Sequence, residues 1–407
     1  MNLISPIKTK RIAVKLKPSA ERMTKKGHPW VFSDSIIKQN EKGNCGDIVV
    51  VFNSKTNKFL ACGLYDPKSS IRIKMLQFHV SKEINQEWFR EKIAKAKCLR
   101  EPLISSETTS YRLIFGENDG LPGVIADVYD DVMVLKLYSL IWAPYLNLLA
   151  RLLIESCDCS TAVLRLSRNS QADYQKLGVI DGQVIHGVLE SEEVRFKEHS
   201  LLFEANVVRG HKTGFFLDHR HNRKRVGELA KNKHVLDVFS YAGGFSVYAL
   251  KGGARSVTSI DISAHAIEMA KRNAALNNPV APERHRVIVS DAFNCLDDLI
   301  RKKKKFDLIV IDPPSFAKNK KEIKKALIHY EQLAALGEKL IAKNGMLVLA
   351  SCSSRIAAAE FFSSNIRVLR SSGRFVEMVD SSRHDIDHPI AFEEGAYLKC
   401  GYYQFFD

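Results

Sequence analysis

The chain has 407 residues, 45% apolar and 26% charged, close to the averages for globular proteins, which excludes disordered, collagen-like and disulfide-scaffold architectures. That length exceeds one compact core and predicts two or three domains. Lys and Arg number 61 against 46 Asp and Glu, a formal charge of +15; the excess attracts polyanions and makes nucleic acid the leading partner class, a solubilising surface charge being the alternative.

Residues 1–79 read as a small β-barrel. Short β-rich runs, Ile12–Leu16, Asp47–Phe52 and Ile71–Met75, are separated by turn signals such as Lys42-Gly43-Asn44. Between Lys8 and Lys26 there are 8 cations against Glu21 alone, and His28-Pro29-Trp30 follows, a pattern that suits an RNA-contacting surface. Residues 80–197 read as a mixed α+β domain: a helix from Ile84 to about Pro102, strands at Arg112–Phe115, Val124–Tyr129 and Val132–Tyr138, a helix over Leu140–Ile154 and a strand at Ala162–Leu166. The apolar stretch Val132–Ile154 contains Lys136, Pro144, Asn147 and Arg151, too many interruptions for a membrane span. The first seventeen residues lack the apolar segment of a secretory signal, so a cytoplasmic location without membrane contact is expected.

Residues 198–407 open with a strand at Leu201–Val208 and then, from about residue 230, alternate strand, loop and helix. The runs Val235–Val238, Ser256–Ile260, Arg286–Val289, Phe306–Ile311 and Met346–Ala350 predict an α/β fold with a doubly wound, Rossmann-like parallel sheet. The basic run Arg301–Lys305 reads as a solvated loop. The 8 cysteines contain no C-x-x-C pair, which fits reduced thiols, with Cys157 and Cys159 as packing residues. His384 and His388 are four apart, but Pro389 follows at once and no metal site is expected.

In such a sheet ligands bind beyond the carboxyl ends of the strands. The first run, with Asp237, leads through Phe239-Ser240-Tyr241-Ala242-Gly243-Gly244 into a helix. Its glycines let backbone approach a ligand, although the spacing departs from the G-x-G-x-x-G of nicotinamide enzymes. Asp261 ends the second run, where a carboxylate can accept both hydroxyls of a ribose, and Asp291 ends the third, placed to meet an adenine amine. For each, capping the next helix is the alternative. The fourth run ends Asp312-Pro313-Pro314; two prolines stiffen the turn and present Asp312 and the following carbonyls to a flat base. Cys352 follows the fifth run among serines, on the same cleft, with an inert packing thiol as the alternative. Together these strand ends favour an adenosyl ligand.

The same residues resemble the class I S-adenosylmethionine-dependent methyltransferases, and in particular the RlmI-type large-subunit rRNA cytosine-C5 methyltransferases. The resemblance covers nearly the whole chain. Lys17-Pro18 and Gly27–Phe32 are similar to that family's N-terminal PUA domain, Gly116–Gly123 to its middle domain, Gly210–Arg220 to its cofactor-proximal motif, and Asp387-His388-Pro389 to a feature near its C-terminus.

The resemblance implies S-adenosylmethionine as cofactor and large-subunit rRNA as partner. Around the cofactor it places Lys212, Thr213, Gly214, Asp218 and Arg220 with the strand-end residues Asp237, Phe239, Tyr241, Gly243, Gly244, Asp261, Asp291 and Asp312. Lys212 and Arg220 would bring positive charge near the cofactor's carboxylate. Pro313 and Pro314 would line the substrate base, Cys352 would add to cytosine C6, and Asp312 would hold N3 protonated as charge develops. Two alternatives remain open: methylation of a ring nitrogen such as guanine N7, which needs no thiol, and an RNA-binding assembly factor with a vestigial pocket. The sequence leaves the oligomeric state open, a homodimer included.

Overall fold

In the computed structural model, which describes residues 2–277, 283–317 and 319–407, the chain divides into two compact units. The first is Met1–Lys197 with Ala205–Phe215 and Ile386–Phe392; the second is Glu198–Glu204 with Phe216–Asp385 and Glu393–Asp407.

The first unit contains two sheets. Strand β1 (Arg11–Leu16), helix α1 (Pro18–Lys25) and strands β2 (Trp30–Phe32), β3 (Ile36–Gln39), β4 (Ile48–Phe52), β5 (Phe59–Tyr65) and β6 (Ile71–Phe78) give a sheet of order β2-β6-β5-β4-β1-β3. Period-two alternation aims Ile12, Val14 and Leu16 into one core with Val49, Val51 and Ile73. Trp30 is half-buried here: its Nε1 donates to Glu117 Oε1 at 2.9 Å and its ring meets Phe392 edge-on at 5.1 Å. The indole is thus used inside the unit.

Helix α2 (Gln86–Ile104), strands β7 (Ser110–Phe115), β8 (Val124–Tyr129) and β9 (Val132–Leu137), helix α3 (Leu146–Cys157), strand β10 (Thr161–Leu166), helix α4 (Arg168–Gln175) and strand β11 (Gln183–His186) follow, with sheet order β11-β10-β9-β8-β7. The helix expected from Leu140 starts instead as a 3₁₀ turn, Leu140–Tyr145, because Pro144 cannot donate to a helical ladder. By length and composition Leu140–Cys157 could cross a membrane, yet half of it is buried in this core. Cys157 and Cys159 pack there too, as expected. The returning segment is pinned by buried Asp387, whose Oδ2 accepts the Arg112 N–H at 2.9 Å and whose carbonyl accepts Arg100 at 3.1 Å. His388 Nδ1 bonds Asp387 Oδ1 at 2.8 Å.

Strands β12 (Glu193–Glu198) and β13 (Leu201–Asn206) form a two-stranded ladder. The second unit is then built from α5 (Arg220–Leu229), β14 (His234–Val238), α6 (Gly244–Lys251), β15 (Ser256–Asp261), α7 (Ala264–Leu276), β16 (His285–Val289), α8 (Ala292–Arg301), β17 (Phe306–Ile311), α9 (Ile323–Leu340), β18 (Ile341–Ser351), α10 (Ala358–Arg370), β19 (Val376–Ser382) and β20 (Lys399–Phe405). Its sheet order is β16-β15-β14-β17-β18-β20-β19. The five predicted strands are all parallel, in registers such as Val235 opposite Leu308, and the order turns back at β14 and β17, where such sheets bind ligands.

Two strands beyond the five predicted ones extend this sheet, β20 running antiparallel between β18 and β19. Edge strand β19 is mostly exposed and so carries no apolar run that a sequence reading could find. The run Arg301–Lys305 is an exposed turn, with Lys302 paired to Asp298 at 2.6 Å and Lys305 donating to the Lys339 carbonyl at 2.9 Å.

Candidate active site

Four strand ends of the second unit, those of β14, β15, β17 and β18, converge. After β14, Phe239, Tyr241 and Gly243 all adopt positive φ, 64°, 45° and 75°. Left-handed backbone is costly for Phe and Tyr, and such strain persists where surrounding structure imposes it, often at functional sites. At Gly243 a side chain is barred as well: a Cβ would lie 2.8 Å from Ala270 Cβ. Buried Asp237 fixes the far side of the loop, its Oδ2 accepting the Ser246 N–H at 3.0 Å and hydroxyl at 2.6 Å. Burial, with the nearby Asp312 and Asp261 charges, pushes the Asp237 carboxyl up to about 7. Asp261, partly exposed at the end of β15, receives the Tyr241 N–H on one oxygen and the Ser263 N–H on the other, both at 2.9 Å.

Asp312 leaves β17 beside this loop, its N–H donating to the Val238 carbonyl at 3.3 Å. Its Oδ2 lies 3.3 Å from Nε2 of His219. The ring of His219 is buried, and Nδ1 lies 3.1 Å from the amide nitrogen of Asn222. Asn222 Oδ1 accepts from Tyr402 at 2.8 Å and from Ser382, so its NH₂ points to His219, Nδ1 accepts, and the ring proton sits on Nε2 toward Asp312. Burial pushes His219 down and the Asp312 carboxylate more than offsets it, for a net rise. Pro313 is buried and Pro314 exposed. Cys352, just past β18, is partly exposed with Sγ 4.0 Å from the Pro313 carbonyl.

Residues 184–393 match the family described as S-adenosylmethionine-dependent methyltransferase, and residues 14–78 match the PUA-like domain. Over 97% of both chains the sequence is 40% identical to a ribosomal RNA large subunit methyltransferase of Deinococcus radiodurans. It is 33% identical to the ribosomal RNA large subunit methyltransferase I of Aliivibrio fischeri, over 95% of this chain and 98% of that one. The chain belongs to the S-adenosylmethionine-dependent methyltransferases, with these ribosomal RNA large subunit enzymes among its relatives. Two solved methyltransferase structures share the fold at a TM-score of 0.82. One, from Streptococcus mutans, is 20% identical and covers 96% of this chain and 99% of its own; the other, complexed with SAH, is 22% identical and covers 97% and 99%.

The methyltransferase fold makes the β14 loop the place to test for the cofactor, and the loop fits. Ser240 Oγ and Asp237 Oδ1 are buried there with no hydrogen-bond partner among the described residues, and the N-terminus of α6 presents its first N–H groups beside them. Phe239, Tyr241, Gly243, Gly244, Asp237, Asp261, Asp312 and Cys352 belong to one cluster. Asp218 is buried in the same unit, accepting the Tyr397 hydroxyl at 2.6 Å.

Other residues expected at the cofactor have partners within their own unit. Arg220 is fully buried between Asp385 at 3.2 Å and Glu198 at 3.7 Å, so its charge is already matched. Lys212, Thr213 and Gly214 lie in the first unit; Thr213 donates to Asp127 at 2.6 Å, and the exposed Lys212 gives its carbonyl to Lys136 at 2.9 Å. Asp291 is exposed and caps α8, accepting the Asn294 N–H at 3.1 Å, the capping alternative left open by the sequence.

His219 was missed. A histidine beside an aspartate in Leu217-Asp218-His219-Arg220 carried no spacing signal toward Asp312, which is 93 positions away. Among the described residues no group of three or more His, Cys, Asp or Glu is placed to hold a metal ion. His384 accepts the Leu398 N–H at 3.1 Å in the second unit, while His388 belongs to the first. A separate cavity of about 300 Å³, between β16 and α8 and lined by Arg286, Val289 and Lys302, shares no lining residue with this cluster.

Proposed function

We propose that this methyltransferase forms 5-methylcytidine in large-subunit rRNA, in the cytoplasm, through a covalent adduct with Cys352. The observation that carries the reading is the thiol beside the Asp312-Pro313-Pro314 turn, with Sγ 4.0 Å from the Pro313 carbonyl. The names of the relatives, ribosomal RNA large subunit methyltransferases, support the substrate class. The β14 loop and Asp261 would hold S-adenosylmethionine, which when bound supplies an electrophilic methyl group for C5. Cytosine C5 is a poor nucleophile, so Cys352 adds as thiolate to C6 and moves electron density onto C5 and N3. The Asp312 carboxyl donates a hydrogen bond to N3, gives N3 its proton as that density builds, and takes the proton back when the thiolate departs. His219 orients the Asp312 carboxyl from behind. Once C5 carries the methyl, its proton leaves to solvent water and the C5–C6 double bond re-forms as the Cys352 thiolate departs. The target base must leave its stack to reach the turn, which is cheapest in single-stranded or looped RNA.

Labelled methyl transfer to deproteinised rRNA from cells lacking the protein, followed by nucleoside analysis, tests this. Wild type should yield 5-methylcytidine and Cys352→Ala should lose at least about a thousandfold in rate, as when an enzyme loses its nucleophile. A methylated guanosine that survives Cys352→Ala would overturn the reading.

A further inference from the structure

Lys399 is a buried cation beside the proposed nucleophile that the chemistry above does not use. It opens β20 directly opposite Ser351, the last residue of β18, and is only 1% exposed. Its Nζ donates to the carbonyls of Ser353, of Ile356 at 2.7 Å and of Tyr397 at 3.1 Å. All three ammonium protons therefore go to neutral carbonyls and none to a carboxylate. Two of those carbonyls belong to the turn that immediately follows Cys352. A buried charge is normally paired, and here the acid that acts on it is the thiol: burial holds Lys399 down at about 8, a fall that Cys352 opposes without reversing. Among the described residues, the other ionisable groups around the thiol do not supply a buried cation. Tyr330, on α9, bonds Ser351 Oγ at 2.9 Å; Asp312, at the end of β17, is a carboxyl group and brings no positive charge; His219 faces Asp312; Arg355, in the same turn, is exposed.

We propose that Lys399 is a positioning residue for Cys352: it clamps the turn that follows the thiol and serves as counter-ion to the thiolate. The inference rests on the reading of Cys352 as nucleophile. When the thiol proton leaves to solvent, the charge formed on Sγ meets a cation already in place, in a site where solvent screening is weak.

The test is the pH dependence of iodoacetamide alkylation at Cys352 in the full-length protein, followed by peptide mass spectrometry. Exposed Cys98 serves as reference thiol in the same sample. In wild type Cys352 should reach its half-maximal rate at a lower pH than Cys98. Lys399→Met should raise the Cys352 midpoint by about one pH unit or more, slowing alkylation near neutrality about tenfold, with Cys98 unchanged. Lys399→Arg, which keeps the charge, should restore most of the shift. A wild-type Cys352 midpoint at or above that of Cys98, a measurement that needs no variant to fold, overturns the proposal, as does a midpoint that Lys399→Met leaves unmoved. Alkylation needs neither RNA nor methyl donor, so its failure is distinguishable from failure of the nucleophile reading, which Cys352→Ala tests by methyl transfer.

Discussion

Residues 210–215 and 217–220 are parts of one sequence motif, yet they belong to different compact units and are held by different chemistry. In the first unit Thr213 adds a hydroxyl to a carboxylate that is already matched: Asp127 accepts Arg112 through Nε at 2.7 Å and Nη2 at 2.9 Å, and Thr213 at 2.6 Å. In the second unit the anchor is charge on charge. Glu198 takes Arg223 in two bonds of 2.7 and 2.6 Å and also lies 3.7 Å from Arg220, all three side chains being buried. One half of the motif can lose a partner and keep its ion pair; in the other, Glu198 is shared by two guanidinium groups, of which Arg220 also has Asp385 at 3.2 Å.

The contrast breaks first at Glu198. Glu198→Ala leaves Arg223 buried without a carboxylate and Arg220 with Asp385 alone, a loss of about 3–5 kcal/mol in unfolding free energy. Denaturant unfolding of the variant checks it, and a loss below about 1 kcal/mol would show that the second unit is not held in this way. A pH series then sharpens the description of that unit. The Asp237 carboxyl is raised to about 7, above its unfolded value near 4. Its contribution to stability is therefore complete below about pH 4 and is lost as pH climbs to about 7, because the folded state must then ionise a buried acid. Asp237→Asn removes that term. The stability of wild type relative to Asp237→Asn should fall between pH 4 and 7 and stay level above; a difference that is flat across the window contradicts the assignment.

How much of this was legible follows from what sequence can encode. The five parallel strands were readable because each is a short apolar run between helical segments, mostly buried in β14, β15, β17 and β18 though only partly in the edge strand β16, and Asp261, Asp312 and Cys352 were readable because a parallel sheet places its chemistry at strand ends. Lys399 and His219 were not. Their partners lie far away in the chain, and nothing local distinguishes a lysine opening a strand, or a histidine before a helix, from a solvated one. Arg220 was read from the resemblance as a cofactor contact. Its burial between Glu198 and Asp385 depends on residues from two distant segments, so only the folded chain reveals that its charge is spent. Asp291 shows the opposite case: both of its readings were visible, and the 3.1 Å bond to the Asn294 N–H fills the capping role, whatever else the carboxylate contacts.

Thr213 gives the smallest expected effect and the finest test of the contrast. Its Oγ1 donates to Asp127 and lies 3.1 Å from the Tyr129 hydroxyl, which in turn donates to the Phe215 carbonyl at 3.3 Å. Thr213→Val keeps the shape and removes the hydroxyl. Asp127 retains both bonds from Arg112, so no charge is stranded, and the expected loss is that of one buried hydrogen bond to a charged group, about 1–3 kcal/mol. Combining it with Asp127→Asn separates the terms: if the hydroxyl acts through the carboxylate, the double variant is less destabilised than the sum of the two single variants. Strict additivity would mean that Thr213 is held chiefly by Tyr129. A loss as large as that of Glu198→Ala would erase the distinction, placing both halves of the motif under the same electrostatic control.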